Sequence, residues 1–315
     1  MIALITLNYN QNDYTLKCVE SILMSKNNDF KLFLIDNGSE LENYNVLKSS
    51  LPKDDRLILD RIDINRGYIG GMNYGLQYGA KMNPAYYLIM NNDTILDENA
   101  IDELLKTCKK YENKAIVTGK VYHYNERNRL EDIGSRFKNK KLLQFDHVGH
   151  NELDTGQYDN EAERDMLDDV FWMIPAKLYQ EIGGYSTHFW FNAEQADFVL
   201  RAKKIGYKLI YTPNAKLWHK GSVSIGGRAK NPKLVYWHMQ SSLILRYLHL
   251  SKLNFFRYFI IMLISILRTS IKAYIKNIKG DKSLLKYAKA KRAGFYYFLK
   301  WLFKKNKNVG FNPFN

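Results

Sequence analysis

Cysteine is nearly absent from this chain: two of 315 residues, Cys18 and Cys108. Two thiols build no disulfide framework, and they are read as reduced packing residues of a cytosolic protein. Long apolar runs are also missing. The longest, Phe259 to Leu267, is nine residues between Arg257 and Arg268. About 20 are needed to cross a bilayer, so the sequence predicts no membrane span. The opening Met1-Ile2-Ala3-Leu4-Ile5-Thr6-Leu7 has no basic leader and meets Asn8 and Asn10 at once, which predicts no secretory signal. Acidic residues all but vanish late in the chain. Residues 221–315 hold nineteen Lys or Arg and one acid, Asp281, whereas residues 1–220 hold 28 basic and 31 acidic residues.

What remains is 46% apolar and 14% aromatic, which excludes disorder and supplies a core for one large domain or two modest ones. Charge divides the chain into a nearly neutral part and a strongly basic one. A basic segment of this kind seeks an anionic polymer or an anionic membrane surface.

Short apolar runs alternate with amphipathic ones over the first 120 residues. Strands are predicted at Ile2 to Leu7, Lys31 to Ile35, Leu57 to Ile62 and Tyr86 to Met90. Helices are predicted at Leu16 to Met24, Tyr74 to Lys81 and Asn99 to Lys110. Alternation of this kind implies a mostly parallel sheet with both faces covered, whose ligands bind beyond the carboxyl ends of its strands. Asp36, Asn65 and Asn91-Asn92-Asp93 stand at those ends. Residues 121–167 read as a polar, irregular insertion or a loop over the site. Order returns at Val170 to Ile174, from Ala196 through Gly206, and in a strand from Lys208 to Tyr211 before Pro213. From Leu234 onward the pattern is helical.

Asn91-Asn92-Asp93-Thr94 directly follows a buried strand. An acid there can hold a divalent ion against a diphosphate, because oxygen ligands suit Mg²⁺ and Mn²⁺; a plain polar turn fits the same residues. Asp36-Asn37-Gly38-Ser39 has the same two readings, the functional one being a carboxylate that accepts the imide N–H of uracil or thymine. Asn65 to Asn73 places three glycines before a helix, where a phosphate or sugar approaches the backbone closely, but it lacks the G-x-G-x-x-G spacing of a dinucleotide site. Glu194, Asp197 and Arg201 share a face if their segment is helical, either as a surface ion pair or as a general base for an acceptor hydroxyl. His219 is a metal ligand or a packing residue.

Taken in order, these motifs resemble the family 2 glycosyltransferases, most closely the rhamnosyltransferase-like members. Asn8-Tyr9-Asn10, Asp36 to Ser39, Asn65 to Gly75 and Asn91 to Asp93 match the nucleotide half. Gly183-Gly184-Tyr185, Phe189, Glu194 to Asp197, Arg201, Gly206-Tyr207, Tyr211, Pro213 and His219 match the acceptor half. The resemblance covers roughly residues 1–225 and implies a GT-A fold with a Rossmann-like nucleotide half (1–120) and an acceptor half (121–225). It also implies a nucleotide-sugar donor, UDP- or TDP-linked, and inversion at the anomeric carbon. By the same resemblance Asp36 and Asn65 contact the nucleobase, and Gly70 and Asn92 complete the donor site. Asp93 ligates Mg²⁺ or Mn²⁺, and His219 completes the metal or diphosphate site.

One position departs from the family. An acid that serves as base is usual where this chain has Gln195, and glutamine accepts no proton at neutral pH. Either Glu194 or Asp197 takes the role, or the acid has been exchanged in this chain, or the protein is catalytically weak; the expectation adopted is Glu194. The basic residues 226–315, with apolar runs interleaved, predict amphipathic helices on an anionic membrane. They place the enzyme peripherally on the cytoplasmic face of the cell membrane. The acceptor is then a lipid-linked glycan of a bacterial surface polysaccharide or glycoprotein pathway. The rivals are a nucleotide-sugar binder without activity and a nucleic-acid-binding protein. The second is disfavoured, since no nucleic-acid module is recognisable and the first 220 residues carry slight negative charge.

Overall fold

The computed structural model describes residues 1–221, 231–305 and 307–314. Its strands in chain order are β1 (Ile2–Asn8), β2 (Phe30–Asn37), β3 (Leu57–Ile62), β4 (Tyr86–Met90), β5 (Thr94–Leu96), β6 (Ala115–His123), β7 (Leu130–Asp132), β8 (Ser135–Asn139), β9 (Gln144–His147), β10 (Ala162–Glu163), β11 (Phe171–Pro175) and β12 (Lys208–His219). The helices are α1 (Asn12–Leu23), α2 (Leu41–Ser50), α3 (Gly67–Ala80), α4 (Ala100–Lys110), α5 (Ala176–Ile182), α6 (Glu194–Lys204), α7 (Pro232–His249), α8 (Lys252–Ile278) and α9 (Leu285–Lys304).

One sheet runs β10-β12-β6-β11-β4-β1-β2-β3, with β5 on β12 and β7 on β6. Strands β3, β2, β1 and β4 are parallel, β11 enters antiparallel between β4 and β6, and β6 and β12 are again parallel to each other. The period-2 alternation of strand side chains feeds two cores. Ala3, Ile5, Phe33, Ile35, Tyr87 and Trp172 face α3, α5, α6 and the C-terminal helices. Ile2, Leu4, Leu32, Leu34 and Leu88 face α1, α2 and α4. This is the mostly parallel, helix-flanked α/β architecture that the alternating pattern predicts, followed by three further helices.

Three local expectations are corrected. The glycines of Asn65 to Asn73 do not form a loop ahead of the helix, because α3 already starts at Gly67. Gly71 of that segment, and Gly75 one turn further on, let α3 lie close on the sheet: a Cβ would sit 3.0 Å from Leu7 Cδ1 at the first and 2.5 Å from Ile5 Cγ2 at the second. Beyond Pro213, β12 continues to His219, with a register shift between Tyr211 and Lys216 that accommodates the residue lacking an N–H. The 121–167 segment is not irregular throughout; it carries β7 on the main sheet and the β8–β9 hairpin.

The C-terminal helices share the first core: Met239, Leu243, Tyr258, Phe298 and Trp301 belong to the same cluster as Ile5 and Phe33. The expected domain boundary between 225 and 226 lies outside the described residues. Among the described residues, α8 is the one helix long and apolar enough to cross a membrane by length and composition. The uninterrupted nine-residue run did not reveal it, because the helix continues through Arg257 and Arg268.

Candidate functional site

Parallel pairing of β2, β1 and β4 brings their polar carboxyl ends together. Asp36 is the penultimate residue of β2, fully buried. Its Oδ2 accepts from Asn8 Nδ2 (2.9 Å) and Ser39 Oγ (2.6 Å), and its Oδ1 from the Ser39 N–H (3.1 Å). Arg61 Nη1 lies 3.7 Å from that Oδ1, buried and without a hydrogen-bond partner of its own. The turn needs glycine at 38, where φ is +81° and the Asn65 backbone crosses too closely for a Cβ. Asn65 itself is exposed, and its Oδ1 accepts the Gly67 N–H (2.7 Å), starting α3. Gly70 is half-buried on α3 above Arg66, and Asn92 Nδ2 donates to Thr15 Oγ1 (2.7 Å).

Asp93 and His219 are 126 residues apart in number and adjacent in space. The antiparallel β5–β12 register pairs Thr94 with His219, and Lys220 N–H donates to the Asp93 carbonyl (2.9 Å). His219 Nε2 then lies 3.2 Å from Asp93 Oδ1, and Nδ1 lies 3.0 Å from Glu131 Oε2. Burial lowers the imidazole's proton affinity, but the two carboxylates outweigh it and hold its pKa up at about 10. Among the described residues no group of three or more His, Cys, Asp or Glu forms a metal cage. Asp93 Oδ1 and His219 Nε2 would together hold a divalent cation once it displaces the Nε2 proton, because metal ligands bind deprotonated. A carboxylate on the second nitrogen of a ligating histidine is the common way such a ring is oriented.

A second acidic group lies where β11 and α6 begin. Asp169 is buried and accepts from Tyr68 Oη (2.9 Å) and Tyr185 Oη (2.7 Å) on the same Oδ2. Asp168 is half-buried; desolvation and the negative charges of Asp169 and Asp132 push its pKa to about 7, against the pull of His219. Glu194 is the first residue of α6, nearly fully buried, with Oε2 lacking any hydrogen-bond partner. Burial, and then the charges of Asp169 and Asp168, raise it to about 8. The charge of His219 reaches Asp168, and that of Asp168 reaches Glu194. Two non-glycine residues, Asn192 and Ala193, precede α6 with φ of +70° and +71°. Each costs about 1–3 kcal/mol, a kind of strain that clusters at active sites.

Asp197 is differently placed. Arg201 Nε and His249 Nε2 each reach one of its oxygens at 2.7 Å. Burial would raise this carboxyl, but the two partners hold it below the ordinary value. It ties α6 to α7, and the lowered pKa makes it a weak base for a substrate proton. Gln195 lines a cavity of about 150 Å³ with Asn192, Met166, His238 and Arg246.

The chain has counterparts among known proteins. Residues 3–169 match the family model described as glycosyl transferase family 2. The chain therefore belongs to glycosyl transferase family 2. A curated relative, the glycosyltransferase GlyG of Streptococcus pneumoniae serotype 4 (strain ATCC BAA-334 / TIGR4), is 25% identical over 126 residues, 40% of each chain. Among solved structures, GalNAc-T7 with UDP, GalNAc and Mn²⁺ is similar at a TM-score of 0.55 and 15% identity, over 70% of this chain and 43% of that one. S. aureus TarS 1–349 with UDP-GlcNAc is similar at 0.53 and 11% identity, over 78% and 66%. The likeness to these structures establishes the GT-A fold.

Sequence reasoning missed Glu131, Arg61, Asp168 and Asp169. The Asp168-Asp169 pair just before an apolar strand carried a usable signal; Glu131 sits on the two-residue edge pairing of β6 and β7 and carried none. Glu131→Gln is expected to keep the fold, since the site is half-buried, and to weaken nucleotide-dependent Mn²⁺ binding by about 10–100-fold, the usual effect of removing such a carboxylate. Titration of Mn²⁺ in the presence of UDP measures it.

Proposed function

We propose that this protein is an inverting, metal-dependent glycosyltransferase. It moves a sugar from UDP or TDP to a lipid-linked glycan in bacterial surface polysaccharide or glycoprotein assembly. The observation that carries the reading is the set of groups at the strand ends, Asp36 with the unpartnered Arg61 Nη1 beside it and Asp93 against His219, with Glu194 buried at the start of α6 and its Oε2 unpartnered. That GalNAc-T7 was solved with UDP and Mn²⁺, and TarS with UDP-GlcNAc, supports the donor class and the metal.

In this reading Asp36 Oδ1 accepts the N3–H of the pyrimidine, and Arg61 Nη1 donates to a neighbouring carbonyl of the same ring. Asp93 and His219 Nε2 hold the cation, with Glu131 fixing the ring. A cation held there would supply positive charge to the departing diphosphate. Glu194 takes the acceptor hydroxyl's proton as the oxygen bonds to the anomeric carbon from the face opposite the diphosphate, whose C–O bond breaks. Residues 1–120 serve the donor and 121–225 the acceptor. Residues 226–315 hold the protein peripherally on the anionic cytoplasmic face of the membrane, where a lipid-linked acceptor is presented. A second reading, a nucleotide-sugar binder without turnover, is favoured by Gln195 alone.

Base recognition gives a direct test. Asp36→Ala is expected to weaken UDP binding at least tenfold and to leave GDP binding as poor as before, measured by calorimetry with Mn²⁺. Tight GDP binding that survives the substitution removes the base contact and the donor class together.

A further inference from the structure

Helix α8 uses only part of its circumference to pack. Tyr258, Ile266 and Ala273 are its buried residues, the first two in the core cluster that α7 and α9 share. On the outward side, apolar side chains recur at spacings of three and four from Leu253 to Ile278, with Ile260, Ile264, Leu267 and Ile271 at the centre, exposed by 37–61%. At 100° per residue this stripe fills a sector of about 80° and runs nearly 40 Å. Arg257, Arg268, Lys272 and Lys279 occupy the sector along one edge of it. Neither α8 nor α9 contains an acidic residue, and Asp281, between them, is spent on Lys276 at 2.8 Å.

A stripe at this spacing also suits a coiled-coil partner, but such a seam is flanked by charges of both signs. Here a second copy would bring only cations to cations. A crossing helix is disfavoured by what holds α8. Lys291 Nζ of α9 donates to Ser265 Oγ (3.0 Å) and Thr269 Oγ1 (3.1 Å) at its middle, and Arg292 donates to Ser270 Oγ (3.1 Å). Spanning would bring those cations to the depth of the hydrocarbon, where charge is costly. An in-plane helix has neither difficulty: its apolar face sinks about 5–10 Å and its Lys and Arg stay among anionic headgroups.

We propose that α8 is the membrane-contacting element of this protein, lying in the plane of an anionic bilayer with the Ile260 to Ile271 stripe submerged. This rests on the peripheral-membrane reading above and specifies its element and orientation.

The test uses the full chain and vesicles of phosphatidylcholine with or without phosphatidylglycerol. Ile264→Cys and Ile271→Cys, labelled with an environment-sensitive fluorophore, are compared with Lys286→Cys. Cys18 and Cys108 are buried, with thiols pushed up by burial, so the introduced site takes the label. Both stripe positions are expected to shift to the blue on phosphatidylglycerol vesicles, with position 286 unchanged. The triple variant Ile264→Glu/Leu267→Glu/Ile271→Glu is expected to bind these vesicles at least tenfold more weakly with an unchanged melting profile, since all three side chains are exposed. If the triple variant binds as the parent does while Lys286→Glu/Lys289→Glu releases the protein, the α8 assignment falls and the peripheral reading stands. A full chain that ignores phosphatidylglycerol vesicles overturns both. Labels shielded in a dimer without vesicles assign the stripe to a second copy, and retention on vesicles through alkaline carbonate assigns it to a span; either result overturns the proposal.

Discussion

Glu194→Gln lowers turnover by about 10²–10⁴-fold, the range that a positioned general base supplies. Its carboxylate is the one acid of the Glu194–Asp197 segment with an oxygen left unpartnered, whereas Asp197 spends both on Arg201 and His249. With the folded-state value near 8, the parent's turnover rises as pH climbs toward 8, because the ionised form accepts the proton. The same raised value makes a stability statement. An unfolded glutamate ionises near pH 4.5, so above that pH the folded state is penalised, increasingly until about pH 8. Glu194→Gln therefore melts higher than the parent at pH 8 and equally at pH 4. Loss of turnover with a gain in stability separates a removed base from a damaged fold. Gln195→Glu, the companion variant, gains less than tenfold, since its side chain enters the cavity beside Arg246 and His238. A hundredfold gain there shows instead that the chain lacks its base, and favours the binder without turnover.

Asp93→Ala abolishes metal-dependent nucleotide binding, and with it turnover by about 10³-fold or more. A cation bound there would supply several kcal/mol toward the charge developing on the diphosphate, and Asp93 is the carboxylate facing His219 Nε2 at 3.2 Å. The fold survives, because β5 and β12 are joined by backbone pairing that the side chain does not make. Undiminished Mn²⁺ dependence of UDP binding in this variant contradicts the assignment.

Much of this architecture is legible in the chain because it is local. The apolar runs of β1, β2 and β4 are flanked by their own helices, and a parallel sheet gathers their carboxyl ends without further information. Asp36 and Asp93 are visible for that reason. What the sequence does not display is set by pairing over long separations. His219 meets Asp93 only through the β5–β12 register, and Glu131 reaches His219 from a three-residue edge strand. Helix α3 starts earlier than its apolar periodicity implies, since its glycines are chosen for close approach to Ile5 and add nothing to that periodicity. The extent of α8 is hidden by arginines that interrupt an apolar run without ending a helix. The difference between Glu194 and Asp197 cannot be read from spacing at all, because it depends on His249, which belongs to α7.

The central claim is that the β1, β2 and β4 ends bind a pyrimidine nucleoside diphosphate together with a divalent cation. The most direct measurement is the melting midpoint of the full chain with UDP, TDP and GDP, each with and without Mn²⁺. A ligand confined to the folded state stabilises it by about 2.7 kcal/mol at a hundred times its Kd. UDP or TDP is predicted to raise the midpoint only when Mn²⁺ is present, with GDP giving little shift. A midpoint unmoved by every nucleotide, or raised by GDP alone, contradicts the account.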